Sequence, residues 1–259
     1  MNGLKKVLIF IGIVAIVYFV FYLAQNFWLP EGRVTNPGKA GELLEQGNGR
    51  YVAGEALHPN QGAERRAATA DRGQQPFATV LTCSDSRVPV EILFDCGAGD
   101  VFVVRVAGNV VNTDEAGSIE YGVDHLETPL MVVLGHTHCG AVTAVAGGGE
   151  IHGNIGALVK NIGTAVKTAK EAHPELSGSA LVEEAVVANV WQSIDDLFRS
   201  SEVTRKRVKA AKLEVVGALY DIESGKVSWL GSHPKQFELI KKYEGVILRE
   251  EKKEGPSHS

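Results

Sequence analysis

Short apolar runs alternate along the chain with stretches whose apolar residues recur every three or four positions. Residues 77–82, 101–106, 130–134 and 213–219 are dominated by Val, Leu, Ala and Phe, with little polar alternation. Such runs suit strands of a parallel sheet covered on both faces. Between them Ile119, Val123 and Leu126 mark one helix, and Val186, Val187, Val190, Ile194, Leu197 and Phe198 mark another. The alternation predicts an α/β fold with a mainly parallel central sheet flanked by helices. Residues 221–225 have turn composition and lead into 226–230, which predicts a hairpin strand at one edge of the sheet.

The amino-terminal segment departs from this pattern. Residues 7–24 carry no charged side chain. As a helix rising ~1.5 Å per residue they would reach about 27 Å, close to the ~30 Å hydrocarbon core of a bilayer. Tyr22 and Leu23 are too bulky for a signal-peptide cleavage site, so residues 1–30 are expected to be an uncleaved membrane anchor with Phe27 and Trp28 at the interface. Lys5 and Lys6 favour a cytoplasmic tail, against a weaker pull from Arg33 and Lys39. The remainder of the chain is then expected on the periplasmic, extracytoplasmic side. Residues 31–39 are rich in turn formers and read as a linker, residues 40–249 as one folded domain, and residues 250–259 as a disordered tail.

Composition narrows the chemistry. Lys+Arg 26 against Asp+Glu 31 gives a net charge of -5, which argues against a nucleic-acid partner. Three cysteines with no C-x-x-C pair make no disulfide framework, so metal ligation or burial must account for them.

Two stretches gather the candidate site. LTCSDSRVPVE (residues 81–91) and LGHTHCG (residues 134–140) place Cys83, His136 and Cys139 directly after predicted strands. In a parallel sheet the carboxyl ends of the strands share one edge, the usual place for a site. Two thiolates and an imidazole there form a zinc ligand set with an open fourth position, which Asp85 would close as a fourth ligand. The residues alone also allow a blander reading: buried inert thiols, a hydrogen-bonded histidine, and Asp85 with Arg87 as a surface ion pair.

The blocks CSDSR (83–87), GDVFVVRVAGN (99–109), SIEYGVDHL (118–126) and HTHC (136–139) resemble, in order and spacing, those of the β-class carbonic anhydrases. The resemblance extends upstream through GNGRYVAG (47–54) and GQQPFATVLTC (73–83) and downstream through VVGALYDIESGKV (215–227). It covers the folded domain and not the first 30 residues. It implies one zinc ion per chain on Cys83, His136 and Cys139, and hydration of carbon dioxide to bicarbonate and a proton by zinc-bound hydroxide. Asp85 and Arg87 become a catalytic pair in which the guanidinium keeps the carboxylate off the metal. A substrate pocket is implied at Gln74, Phe102, Ala107 and Tyr121, with many relatives carrying a larger aliphatic residue at Ala107. The resemblance also implies a homodimer or higher oligomer whose interface completes that pocket. A related zinc hydrolase of carbon disulfide or carbonyl sulfide, and a catalytically silent zinc-binding partner protein, stand as alternatives. Some members bind regulatory bicarbonate through a tryptophan three residues before the first cysteine ligand. Val80 stands there and has no indole donor, so cooperative shut-off by bicarbonate is not expected.

Other features read as structural. His138, between two ligands, is expected to point away from the metal, and Gly147–Gly149 lacks the Lys-Ser/Thr of a phosphate loop. The charge run at residues 204–209 reads as a solvated helix face, and Cys96 as a spare buried thiol.

Overall fold

The computed structural model describes residues 32–149 and 152–244. The expected anchor and tail lie outside the described residues; among the described residues no helix is long and apolar enough to cross a membrane. Asn36-Pro37-Gly38, expected within a linker, starts a helix. Asn36 is extended and its Oδ1 accepts the Lys39 N–H at 2.9 Å, with Pro37 in the first turn. Turns and helix caps use the same residue types, and burial of Ala40 and Leu44 just behind the cap decides for the helix.

That helix is α1 (Pro37–Ala53), followed by α2 (Ala63–Arg72), β1 (Ala78–Thr82), the short α3 (Val90–Leu93) and β2 (Val101–Arg105). Next come α4 (Thr113–Glu120), a π-helical turn at Tyr121–His125, β3 (Leu130–His136), α5 (Gly140–Ala146), α6 (Asn154–Leu158) and α7 (Lys160–Ala172). The long α8 (Gly178–Ser200), α9 (Glu202–Lys209), β4 (Glu214–Tyr220), β5 (Val227–Gly231) and α10 (Gln236–Tyr243) complete the order. The helix expected around Ile119, Val123 and Leu126 is therefore irregular at its end. Its last hydrogen bond runs from Leu126 N–H to Tyr121 O, one residue wider than in an α-helix.

Five strands form one sheet in the order β2-β1-β3-β4-β5, parallel from β2 to β4, with β5 antiparallel to β4. Every residue of β1 and β3 is buried, which is why their sequences lack polar alternation. The β4–β5 hairpin turns at Asp221, whose N–H donates to Lys226 O and whose Oδ1 accepts from Glu223 N–H; Gly225 takes φ 76°. From β1 the chain steps one way to β2 and then the other way to β3. That reversal makes the carboxyl ends of β1 and β3 a topological switch point, the place where ligands bind in open α/β sheets.

Two apolar clusters hold the sheet and its helices. Leu81, Met131, Val133 and Val215 pack with Val190, Ile194, Leu197 and Phe198 of α8. Val142, Ile162, Val166, Ala185 and Val186 pack with Cys83 and Cys139. Helix α8 thus contributes to both. The charge run at residues 204–209 is only partly solvated, because Arg205 is 2 % exposed. Its guanidinium donates to Phe198 O and, at 3.3 Å, to Arg199 O, satisfying carbonyls left open where α8 ends.

Candidate metal centre

Cys83 directly follows β1, His136 is the last residue of β3, and Cys139 precedes α5. The parallel register pairs Thr82 with Leu134, which brings Cys83 level with Gly135 and beside His136. The two Sγ atoms and an imidazole nitrogen lie within 4.8 Å of one another, and all three residues are buried.

His136 Nδ1 is 2.9 Å from Thr137 O. A carbonyl oxygen only accepts, so Nδ1 carries the proton and Nε2 keeps its lone pair. That Nε2 is buried with no hydrogen-bond partner among the described residues. Cys83 Sγ accepts the N–H of Gly108 at 3.2 Å and of Asp85 at 3.4 Å. A hydrogen bond from Cys139 is the main reason the Cys83 thiol is held well below the ordinary thiol range; burial opposes it, and the backbone N–H groups of Gly108 and Asp85 add to it. Cys139 is pushed up in turn by Cys83 and by burial. By itself the pair accommodates one negative charge, since a second thiolate beside the first would be both desolvated and repelled. A divalent cation between them removes the conflict. Two thiols, a bare buried imidazole nitrogen and this electrostatic demand fit zinc.

Asp85 faces Arg87. Its Oδ1 accepts from Arg87 Nε at 2.9 Å and from the Arg87 backbone N–H at 3.0 Å, and its Oδ2 accepts from Nη2 at 2.8 Å. This fork holds the Asp85 carboxyl well below the usual carboxylate range. Arg87 Nη2 also reaches His138 O at 3.3 Å, so one guanidinium ties the loop after β1 to the loop after β3. The described arrangement has both Asp85 oxygens on Arg87.

Arg105 was not singled out by sequence, yet its Nε donates to Cys83 O at 3.1 Å and its Nη2 to Asp85 O at 2.6 Å. Its only sequence signal was a charge interrupting the apolar run of β2, which on an edge strand reads as solvent-facing. Thr137 is a second addition. Its N–H donates to Tyr220 O at 2.9 Å and its hydroxyl oxygen accepts from Ile222 N–H at 3.1 Å, fastening the ligand loop to the β4–β5 hairpin.

The expected pocket residues are spread more widely. Ala107 is half-buried beside Gly108, and Gln74 is exposed on the segment leading into β1. The Phe102 and Tyr121 rings lie 5.8 Å apart, and Tyr121, 46 % exposed, stacks on His125. Phe102 pairs with Thr79, three residues before the end of β1. At ~3.3 Å per residue that sets it about 10 Å back from the strand end that carries Cys83. His138 is exposed at φ 55°, and it is its carbonyl that faces Arg87. Cys96 is buried with its thiol donating to Phe94 O at 3.3 Å.

A sequence profile of the family described as carbonic anhydrase matches residues 78–227, from the first residue of β1 to the first of β5. The chain belongs to the carbonic anhydrase family. A carbonic anhydrase of Mycolicibacterium smegmatis is 40% identical over 203 residues, covering 77% of this chain and 95% of that protein. Carbonic anhydrase 2 of Mycobacterium tuberculosis is 38% identical over 196 residues, covering 74% and 92%. Among solved structures, a β-carbonic anhydrase of Aspergillus fumigatus matches with a TM-score of 0.63 at 27% identity, covering 70% of this chain and 86% of that one. One of two tetrameric β-carbonic anhydrases from Sordaria macrospora matches at 0.60 and 26%, covering 72% and 94%. The mostly parallel sheet with its flanking helices is the fold of the β-carbonic anhydrases, and the Cys-His-Cys cluster lies inside the matched segment.

Proposed function

We propose that this carbonic anhydrase family member catalyses the reversible hydration of carbon dioxide to bicarbonate and a proton, with one zinc ion held by Cys83, His136 and Cys139. The convergence of these three buried ligand atoms within 4.8 Å carries the reading. When bound there, zinc supplies Lewis-acid polarisation that makes water a nucleophile near neutral pH.

The remaining work falls to the chain. Asp85, with both oxygens on Arg87, stays ionised and can only accept hydrogen bonds. A lone pair not used by Arg87 accepts the O–H of the attacking water and so aims the water's own lone pair at the carbon of CO2. The donors on Cys83 Sγ and the carbonyl on His136 Nδ1 hold the ligands in one orientation, which limits reorganisation during the reaction. Phe102 and Tyr121 offer apolar walls for a small linear substrate, and Gln74 offers an amide donor to a carbonate oxygen. The set-back of Phe102 within one chain supports a homodimer or larger assembly in which a second copy brings these residues to the thiols, and the tetrameric Sordaria relatives support the same reading. The names of the curated relatives favour carbon dioxide over carbon disulfide or carbonyl sulfide, and an enzyme over a silent partner.

Residues 7–24 are proposed as a membrane anchor that leaves the enzyme on the periplasmic side; their uncharged composition, with Lys5 and Lys6 before them, supports this.

Metal analysis and stopped-flow CO2 hydration test the central reading. Wild type should hold about one zinc per chain, and Cys83→Ser or Cys139→Ser should lose both zinc and activity. Stoichiometric zinc with full activity in either variant would overturn the ligand set.

A further inference from the structure

A polar group behind Cys83 plays no part in the reaction as described. The Gly108 N–H donates to Cys83 Sγ at 3.2 Å, and the Gly108 carbonyl accepts from Asn189 Nδ2 at 2.7 Å. Asn189 lies on α8 and is 1 % exposed. Because the Gly108 carbonyl can only accept, the amide must present its NH2 there, and its Oδ1 is left buried without a partner among the described residues. One residue on, Asn109 O accepts from the Ser193 hydroxyl at 2.8 Å, and that hydroxyl also lies 2.8 Å from Asn189 O.

Gly108 depends on such a support. It takes φ 75° and ψ 20°, the left-handed region that favours glycine, and a Cβ there would sit 2.5 Å from Ile162 Cδ1, which would have to move. Without a Cβ its two peptide planes are poorly restrained by their own sterics. The direction of the N–H at the sulfur therefore depends on what holds the carbonyl at the other end of the residue. Helix α8 is a rigid place to hold it from. Its Val186 and Val190 side chains close around Gly135, the neighbour of His136, so the helix that carries Asn189 also braces the strand of the second ligand.

We propose that Asn189 is a positioning residue of the metal centre: its amide fixes Gly108, which aims the Gly108 N–H at Cys83 Sγ and thereby sets the metal–thiolate bond from a helix that carries no ligand. The inference rests on the assignment of Cys83 as a zinc ligand. Loss of a partner that orients a metal ligand typically costs ~10–100-fold in metal affinity.

The test compares Asn189→Ala and Asn189→Asp with Asn48→Ala in the full-length zinc protein. Asn48 is also buried and also satisfies backbone groups, donating to Leu93 O and Gly225 O and accepting from Val227 N–H, none of them on a ligand residue. Chelator competition should show zinc held ~10-fold or more weakly in Asn189→Ala. The cobalt(II)-substituted variant should show a displaced thiolate-to-metal charge-transfer band. Where its carboxyl is ionised, Asn189→Asp presents only acceptors to Gly108 O and should behave alike. Being isosteric, it stays informative where the alanine leaves a cavity that prevents folding. Asn48→Ala should keep wild-type zinc affinity and the wild-type cobalt spectrum. Wild-type affinity and spectrum in the Asn189 variants, or an equal loss in Asn48→Ala, would overturn the proposal and leave the ligand set standing. A wild-type chain that binds no zinc would remove the ligand assignment and the proposal together.

Discussion

Cys83, Cys96 and Cys139 are all buried, yet among the described residues only Cys83 and Cys139 join a possible metal-ligand cluster, and the difference lies in what surrounds each sulfur. Burial, with Asp100 and Asp95 nearby, pushes the Cys96 thiol up, so it stays protonated and inert. Cys83 instead receives two backbone N–H groups and the Cys139 thiol, which favour the thiolate that a metal needs. Asp85 is decided at the same scale, by the fork from Arg87. Replacing Arg87 with alanine removes the restraint that orients the carboxylate while leaving all three metal ligands in place. CO2 hydration in Arg87→Ala should fall by ~100-fold or more with zinc content unchanged, since small misplacements of a reacting group cost about that much. Arg87→Lys should recover little, because an ammonium cannot hold both oxygens. Stopped-flow rates beside metal analysis check this, and near wild-type turnover in the alanine variant would show that Asp85 acts without the fork.

Between elements, Asp95 is the junction that ties α1 to the loop after α3. Its side chain is fully buried, and it accepts from Arg50 Nε at 2.6 Å and from the N–H groups of Leu57 and His58 at 3.0 and 2.8 Å. Burial alone would raise this carboxyl, but the Leu57, Arg50 and His58 donors outweigh it and hold it below its ordinary value. A lowered folded-state value contributes stability above the unfolded pKa of about 4, and that contribution disappears as pH falls through the folded value. Asp95→Asn should therefore cost ~2–3 kcal/mol at neutral pH, as expected when one partner of a largely buried pair is lost. The gap to wild type should narrow below about pH 4. Denaturant unfolding as a function of pH measures it, and a gap that stays constant into strong acid would show that the charge on Asp95 contributes nothing.

At the scale of the whole molecule, the site depends on bringing the ends of β1 and β3 together, and none of the proposed site residues lies before Gln74. On the proposed anchoring and assembly, removing residues 1–30 should therefore release a folded enzyme from membranes with its CO2 hydration rate intact and its oligomeric state unchanged. Fractionation, light scattering and the hydration assay together read this out. Loss of activity in a truncated chain that remains folded would assign the first 30 residues a role in the site itself.

The sequence by itself determined what is local. Apolar runs marked β1 to β4 because strands covered on both faces cannot alternate, and Cys83, His136 and Cys139 stood out because chemistry-bearing residues directly followed such runs. The start of α1 is not legible locally because Asn-Pro-Gly serves turns and helix caps equally, and the burial of Ala40 and Leu44 separates the two. Tertiary structure alone decided the strand order that places β1 beside β3, the turn of Asp85 toward Arg87, the grip of Arg105 on the ligand loop, and the burial of Arg205 under a nominally solvated face. It also joined Asn189 to Gly108 across 81 residues of chain. An asparagine within a helix carries no local mark of the carbonyl it will meet, because that bond exists only once the helix has packed against the turn.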